Sequence, residues 1–255
     1  MMSAVTITFA LLLYGAGTIF LVGLLRKIWI FARTPQPLKI PTTPAPTTTL
    51  GVAGRMLREV TVFESLFKSN KWIWLFGWIF HLCLLLAFIR HLRYALSPDS
   101  LLWPLISLEL VQTAGKYAGY GMLIGLAGLL VRRFVVDRVR YISSPSDYLM
   151  LVLLLAIAGS GLMMTFISHT DIVALKAFAL GLVYFDWQPL PAHPLLLIHL
   201  ILVALLMVVF PFSKLLHAPG VFFSPTRNQA DNPREKRHVA GWSAEIDNTK
   251  SASAG

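Results

Sequence analysis

The sequence predicts an all-α integral membrane protein built as a bundle of five transmembrane helices. Of its 255 residues, 56% are hydrophobic and only 13% are charged, a composition that soluble domains rarely show. The apolar residues are also gathered in five stretches of about 20 residues, the length that a helix needs to cross a bilayer. The predicted spans are residues 4–25, 72–95, 115–131, 148–168 and 193–213.

The distribution of basic residues predicts how these spans are oriented. Eighteen of the 22 Lys and Arg residues follow spans one, three and five, whereas Arg90, Arg93, Lys116 and Lys176 lie toward the opposite side. Because loops rich in Lys and Arg stay in the cytoplasm, we expect the N-terminus outside and the C-terminus in the cytoplasm. The net charge of +10 is explained by this topology, and the absence of a nucleic-acid motif argues against binding to nucleic acid.

The remaining segments predict a membrane domain, residues 1–217, followed by a cytoplasmic tail, residues 218–255. Residues 34–50 are rich in Pro and Thr and are expected to form an extended linker. Residues 56–69 mix apolar and charged side chains, as an interfacial helix does. Residues 172–184 are apolar but too short to span and are predicted to form an interfacial or re-entrant helix. The polar tail is expected to be ordered only against another subunit.

Four histidines near the ends of two apolar spans form the candidate site. His81 and His91 are ten residues apart on span two; His199 and His217 are eighteen apart at span five, which would be five turns and one face of a continuous helix. The two spans run in opposite directions, so the expected pairs are His81 with His217 near the cytoplasm and His91 with His199 near the outer surface. Ionisable side chains in a membrane usually mark a function, and two imidazoles can hold a low-spin haem b iron. We therefore expect two haem b groups.

Other residues near these histidines have two interpretations each. Arg90, Arg93 and Lys214 could pair with haem propionates, or they could extend to the membrane interface. Four of the glycines of span three could admit a flat macrocycle or allow close helix packing; these four are Gly119, Gly121, Gly125 and Gly128.

The other three histidines are weaker candidates. His169 and His193 could relay protons, substitute as ligands or lie in solvated loops, and His238 is expected to face solvent in the tail. The single cysteine, Cys83, is expected to pack within span two. It cannot by itself hold an iron–sulfur cluster, which needs about four thiolates. With no nucleotide-binding glycine motif and no nucleophilic triad, we expect no autonomous catalytic site.

The pattern His-x9-His and His-x17-His, with the sequence Pro-Phe-Ser-Lys-Leu-Leu-His at residues 211–217, resembles the gamma-subunit (NarI-like) family of respiratory nitrate reductases over all five spans. Residues 63–69 and 72–78, and the tail at 223–229, are similar to the M-subunit (DsrM) family of the DsrMKJOP membrane complexes of sulfur-metabolising bacteria. The resemblance implies two b haems and electron exchange between a membrane quinone, menaquinone or ubiquinone, and an iron–sulfur partner.

In the Dsr branch the resemblance implies a cytoplasmic, DsrK-like partner related to heterodisulfide reductases, further subunits, and a role in dissimilatory sulfur metabolism at the bacterial cytoplasmic membrane. A quinone would dock near His91 and His199, where Lys116 either hydrogen-bonds its oxygen or serves as an interfacial anchor. The alternatives are a nitrate reductase gamma subunit and a haem-free membrane anchor or transporter, in which the histidines pair with backbone or water. The residues imply no direction of electron flow.

Overall fold

The computed structural model describes residues 2–231, and all regular secondary structure in that range is helical. The main helices, in chain order, are α1 Ala4–Arg33, α2 Thr49–Thr61, α3 Glu64–Ser69, α4 Lys71–Ala95, α5 Glu109–Val135, α6 Pro145–Phe166, α7 Ile172–Tyr184 and α8 Pro194–Val209. Within the described range, five helices are long and apolar enough to cross a membrane: α1, α4, α5, α6, and α8 with the turn that extends it to Phe212.

The five predicted spans are confirmed, and they differ from the observed helices mainly at the ends. Helix α1 continues to Arg33 because the first helix-breaking sequence is Thr34-Pro35. The N-terminus of α4 is capped by Asn70, whose side-chain oxygen accepts a hydrogen bond from the Ile73 amide at 3.1 Å. Helix α5 begins at Glu109, six residues before the predicted start. The predicted short helix at residues 172–184 is also confirmed as α7.

The chain groups into two compact units. Unit 1 contains Met1–Leu24 and Phe63–Ser213, and unit 2 contains Leu25–Val62 and Lys214–Gly255. The expected division of the chain at residue 217 follows chain order, whereas this grouping follows contacts and joins the first loop to the C-terminal segment.

Unit 1 is a bundle in which α4 packs against α5, α5 against α6, and α6 against α8. Its central cluster comes from the first three of these helices, and half-buried Cys83 packs against it, as predicted. The buried members are Phe80, Met122, Leu126, Leu154 and Ala158. Lipid chains are as apolar as these side chains, so close packing holds the helices together better than exclusion from water does.

Glycines on α5 allow α4 and α6 to approach closely. A Cβ atom at Gly125 would lie 2.8 Å from the carbonyl oxygen of Phe76 and 2.9 Å from the Cβ of Phe80. The other three glycines also face neighbouring side chains: Gly119 faces Leu162, Gly121 faces Cys83 and Gly128 faces Phe76. Of the two interpretations of this glycine series, the structure supports close helix packing.

In unit 2 the Pro/Thr segment is held by the C-terminal segment. The Thr42 amide donates to the Thr226 carbonyl at 3.0 Å, and the Asp231 amide donates to the Pro46 carbonyl at 2.8 Å. The side chains of Arg227 and Glu59 form an ion pair at 3.2 Å. An extended segment has no internal hydrogen bonds and must satisfy its backbone elsewhere. The expectation that the tail is ordered only against another subunit is therefore wrong as far as Asp231; the rest of the tail, including His238, lies outside the described residues.

The interfacial helix expected at residues 56–69 is divided in two. Helix α2 ends at Thr61, and α3 begins at Glu64 after Phe63, whose φ of 52° is left-handed. Few residues without a short polar side chain adopt this conformation, so Phe63 is strained. Its ring lies edge-on to the imidazole of His81, with centroids 5.1 Å apart.

Candidate functional site

Three of the four candidate ligands lie in the predicted membrane-spanning helices, and the fourth lies beyond the end of the last one. His81 and His91 both lie in α4, and His199 lies in α8. His217 does not share that helix, because α8 ends at Val209 and 3-10 turns follow. The expectation of five continuous turns from His199 to His217 is therefore wrong. Pro211 lacks the amide proton that a continuing helix would need.

The Nδ1 atom of all four histidines is hydrogen-bonded within the protein. His81 Nδ1 bonds to the Gly77 carbonyl at 2.7 Å, His91 Nδ1 to the Ala87 carbonyl at 2.6 Å, His217 Nδ1 to the Lys214 carbonyl at 2.9 Å, and His199 Nδ1 to the Ser160 hydroxyl at 2.8 Å. A carbonyl only accepts, so Nδ1 donates in the first three. The proton then resides on Nδ1, and Nε2 keeps the lone pair that a metal ligand needs.

His91 and His199 both lie in membrane-spanning helices of unit 1. Their helices, α4 and α8, are not among the helix pairs of the described chain that pack extensively. In both histidines the engaged Nδ1 leaves Nε2 as the nitrogen that would ligate an iron. Two imidazoles of this tautomer fit the axial ligands of a low-spin haem iron.

His81 lies among aromatic rings. Besides Phe63, the Phe80 ring stands edge-on to it, with centroids 4.9 Å apart. The hydrogen bond from Nδ1 to Gly77 fixes the rotation of the imidazole, and the two rings restrict its remaining movement. Because His81 is in unit 1 and His217 in unit 2, their pairing stays a prediction.

Arg90 and Arg93, the candidate propionate partners near His91, both hydrogen-bond to Gln112. No pattern in the sequence singles out this glutamine. An Nη1 of Arg90 donates to the Gln112 carbonyl, and an Nη1 of Arg93 donates to the Gln112 side-chain oxygen at 3.0 Å. Arg93 also donates to the Tyr94 hydroxyl at 2.8 Å. A guanidinium has five N–H donors, so these bonds orient both side chains and leave donors for an anionic group.

Lys116, the candidate quinone residue, and Lys214, a candidate propionate partner, make different kinds of contact. The Lys116 ammonium lies 5.4 Å from the centre of the Phe166 ring and 5.8 Å from that of Tyr117, which is cation–π geometry. Lys214 touches His217 through its backbone carbonyl. The role of Lys214 that the structure describes is thus to orient an imidazole.

His169 and His193 differ from the four candidate ligands. His169 is exposed. His193 is half-buried, its Nε2 bonds to the Ser168 hydroxyl at 3.0 Å, and its Nδ1 is buried without a partner among the described residues. In His193 the engaged nitrogen is therefore Nε2, the opposite of the pattern in the ligand candidates.

Ser160 is the second residue of this site, after Gln112, that sequence reasoning missed. A buried serine between two glycines in the apolar helix α6 was the available signal, because a hydroxyl in a membrane span needs a hydrogen-bond partner. Residues 2–231 contain no cluster of three or more His, Cys, Asp or Glu side chains suited to a metal ion. A haem iron needs only two axial side chains.

Comparisons with known proteins identify the family of the chain. The nitrate reductase gamma subunit family matches residues 58–231. The chain is 36% identical to the Hdr-like menaquinol oxidoreductase cytochrome b-like subunit of Archaeoglobus fulgidus, over 90% of this chain and 81% of the relative. It is 34% identical to the protein of the same name in Archaeoglobus profundus, over 94% of this chain and 84% of the relative. With its five apolar helices, the chain is a multi-pass membrane protein that belongs to the nitrate reductase gamma subunit family of membrane cytochromes b.

Proposed function

We propose that this chain is the di-haem cytochrome b subunit of a membrane complex that transfers electrons between the quinone pool and a cytoplasmic iron–sulfur partner. The observation that carries the proposal is the shared hydrogen bonding of the four histidines, each of which has Nδ1 bonded to the protein. A histidine whose Nδ1 is hydrogen-bonded to the protein offers Nε2 to a metal, which is the usual arrangement of metal-ligating histidines. The family match is in accord with this function.

In this proposal His91 and His199 hold the outer haem b, and His81 and His217 hold the inner one. Bound haem b supplies one-electron redox chemistry. The chain's own residues would bind the haems and orient the ligands. The hydrogen-bond acceptor at each Nδ1 keeps the imidazole in the tautomer that can ligate iron through Nε2. Arg90 and Arg93, already oriented by Gln112, offer their remaining N–H groups to the propionates, and we retain Lys214 as a further propionate partner.

The quinone would bind on the side of His91 and His199. Lys116 would hydrogen-bond a quinone oxygen and stabilise the negative charge that develops there. Phe166 and Tyr117, which already flank the ammonium, would form one wall for the apolar ring. Both curated relatives are named as subunits of menaquinol oxidoreductases, which favours menaquinone over ubiquinone.

The same relatives are named Hdr-like, which supports a partner related to heterodisulfide reductases, such as a DsrK-like subunit, and a role in dissimilatory sulfur metabolism. A nitrate reductase gamma subunit is the second candidate, favoured by the family match. Co-purification separates the two, because the first predicts an Hdr-type iron–sulfur protein and the second a nitrate-reducing partner. Both candidate functions place the chain in a cytoplasmic membrane. The two relatives are archaeal, and we propose a bacterial membrane for this chain.

The function is tested by the haem content of the purified chain. After expression with an adequate haem supply, we expect a pyridine haemochrome of the b type, two haems per chain, and low-spin ferric signals in the electron paramagnetic resonance (EPR) spectrum. We also expect a menaquinol analogue to reduce these haems. A chain that carries no Soret band under these conditions would exclude the proposal and favour the haem-free anchor or transporter.

The orientation is tested with tags at the two termini. Because the basic residues follow spans one, three and five, we expect an N-terminal epitope to bind antibody in intact spheroplasts. A green fluorescent protein fused to the C-terminus should be fluorescent, since it folds in the cytoplasm. An N-terminal epitope that binds antibody only after permeabilisation would show that the orientation is reversed.

A further inference from the structure

Ser160 connects a helix without ligands to one of the candidate ligands. It lies in α6 and is only 6% exposed. Its hydroxyl makes two contacts, one to the Ile157 carbonyl at 3.0 Å and one to Nδ1 of His199 at 2.8 Å. A buried hydroxyl in an apolar span is costly unless it is hydrogen-bonded, and these two contacts satisfy it.

The direction of the two hydrogen bonds follows from the number of protons. A serine hydroxyl has one proton to donate. The Ile157 carbonyl can only accept, so that proton is directed to Ile157. The Ser160 oxygen must then accept from Nδ1 of His199, which carries the ring proton. Nε2 of His199 is consequently the nitrogen with the free lone pair.

His199 differs from the other three candidate ligands in the source of its acceptor. In His81, His91 and His217 the acceptor is a backbone carbonyl three or four residues earlier in the chain. In His199 it is a side chain on another helix, 39 residues away in sequence. This acceptor can be removed by a single substitution.

We propose that Ser160 is a positioning residue, which holds His199 in the ligating tautomer and raises the basicity of its Nε2. The inference rests on the proposed function, in which His199 is an axial haem ligand. A hydrogen-bonded Nδ1–H makes imidazole a more basic ligand, and a more basic ligand favours ferric over ferrous iron. Ser160 therefore lowers the midpoint potential of the outer haem.

The test is a redox titration of the full-length chain with the substitution Ser160→Ala. We expect the midpoint potential of one haem to rise, its low-spin EPR signal to shift or broaden, and the other haem to be unchanged. A tenfold change in the ratio of ferric to ferrous affinity corresponds to about 59 mV for a one-electron couple. Ser160→Thr, which keeps the hydroxyl, should restore the wild-type potential and spectrum.

The matched control is Ser168→Ala, because the Ser168 hydroxyl also contacts a histidine, His193, which is not a proposed ligand. It should leave both potentials unchanged. If Ser160→Ala does not accumulate, Ser160→Cys replaces it, since a thiol is a weak acceptor of similar size: a raised potential supports the proposal and an unchanged one overturns it. A wild-type chain with two haems whose potentials and spectra are insensitive to loss of the Ser160 hydroxyl overturns this inference alone. A wild-type chain without haem overturns the proposed function itself.

Discussion

Replacing either His91 or His199 with alanine is expected to reduce the haem content from two per chain to one. Both imidazoles are needed to complete a low-spin b haem, so either variant should lose the same low-spin EPR signal. Pyridine haemochrome per mole of protein and EPR spectroscopy of the purified variants measure the loss. The inner haem, assigned to His81 and His217, should be retained.

His169→Ala is the matched control for this experiment. His169 is exposed and lies at the same end of the bundle, so its loss should leave two haems. The pairing is tested by comparing the variants: His81→Ala and His217→Ala should remove the other signal. If His91→Ala and His217→Ala removed the same haem, the assignment of ligands to inner and outer sites would be incorrect.

The second large effect is expected at Gly125 in α5. Its missing Cβ leaves room for the backbone of α4, since a Cβ there would lie 2.8 Å from the Phe76 carbonyl oxygen and 3.0 Å from the Phe80 amide nitrogen. Backbone atoms cannot move without the whole helix. We expect Gly125→Ala to destabilise the protein by about 1 to 3 kcal/mol, the usual cost of overpacking. Thermal unfolding in detergent, followed by circular dichroism, measures this change.

Gly159→Ala provides the comparison, because nothing lies within 4 Å of the Cβ that it would add. Alanine is also the better helix former, by about 1 kcal/mol in exposed helices. We therefore expect Gly159→Ala to be neutral or slightly stabilising. If both variants lost the same amount of stability, the effect of Gly125→Ala would not be due to the close contact of α5 with α4.

The fold was largely predictable from the sequence, for a reason that depends on the membrane. Bilayer thickness sets the length of an apolar span, and the interior of a bilayer admits only structures that satisfy their own backbone hydrogen bonds. The five spans and the short apolar helix α7 followed from these two constraints. Span ends were less predictable, as at Glu109, because polar residues can continue a helix beyond the apolar core.

The candidate ligands could be named from the sequence, whereas the residues around them could be named only in part. Histidine is conspicuous in an apolar span, so His81, His91 and His199 could be identified from the sequence. Gln112, which orients two arginines, could not, because a single glutamine at a helix end has no distinctive pattern. His217 was identified from the spacing, but the continuous helix inferred from the same spacing ends at Val209.

The sequence by itself determined which segments cross the membrane, which glycines line a helix and which imidazoles are available, because residue type and periodicity are local properties. Only the tertiary structure decided that Ser160 accepts from His199 and that the C-terminal segment pairs with the Pro/Thr segment. These hydrogen bonds join residues far apart in the chain. A hydrogen bond requires its atoms to lie within about 3 Å at a suitable angle, and that geometry exists only once the helices have packed.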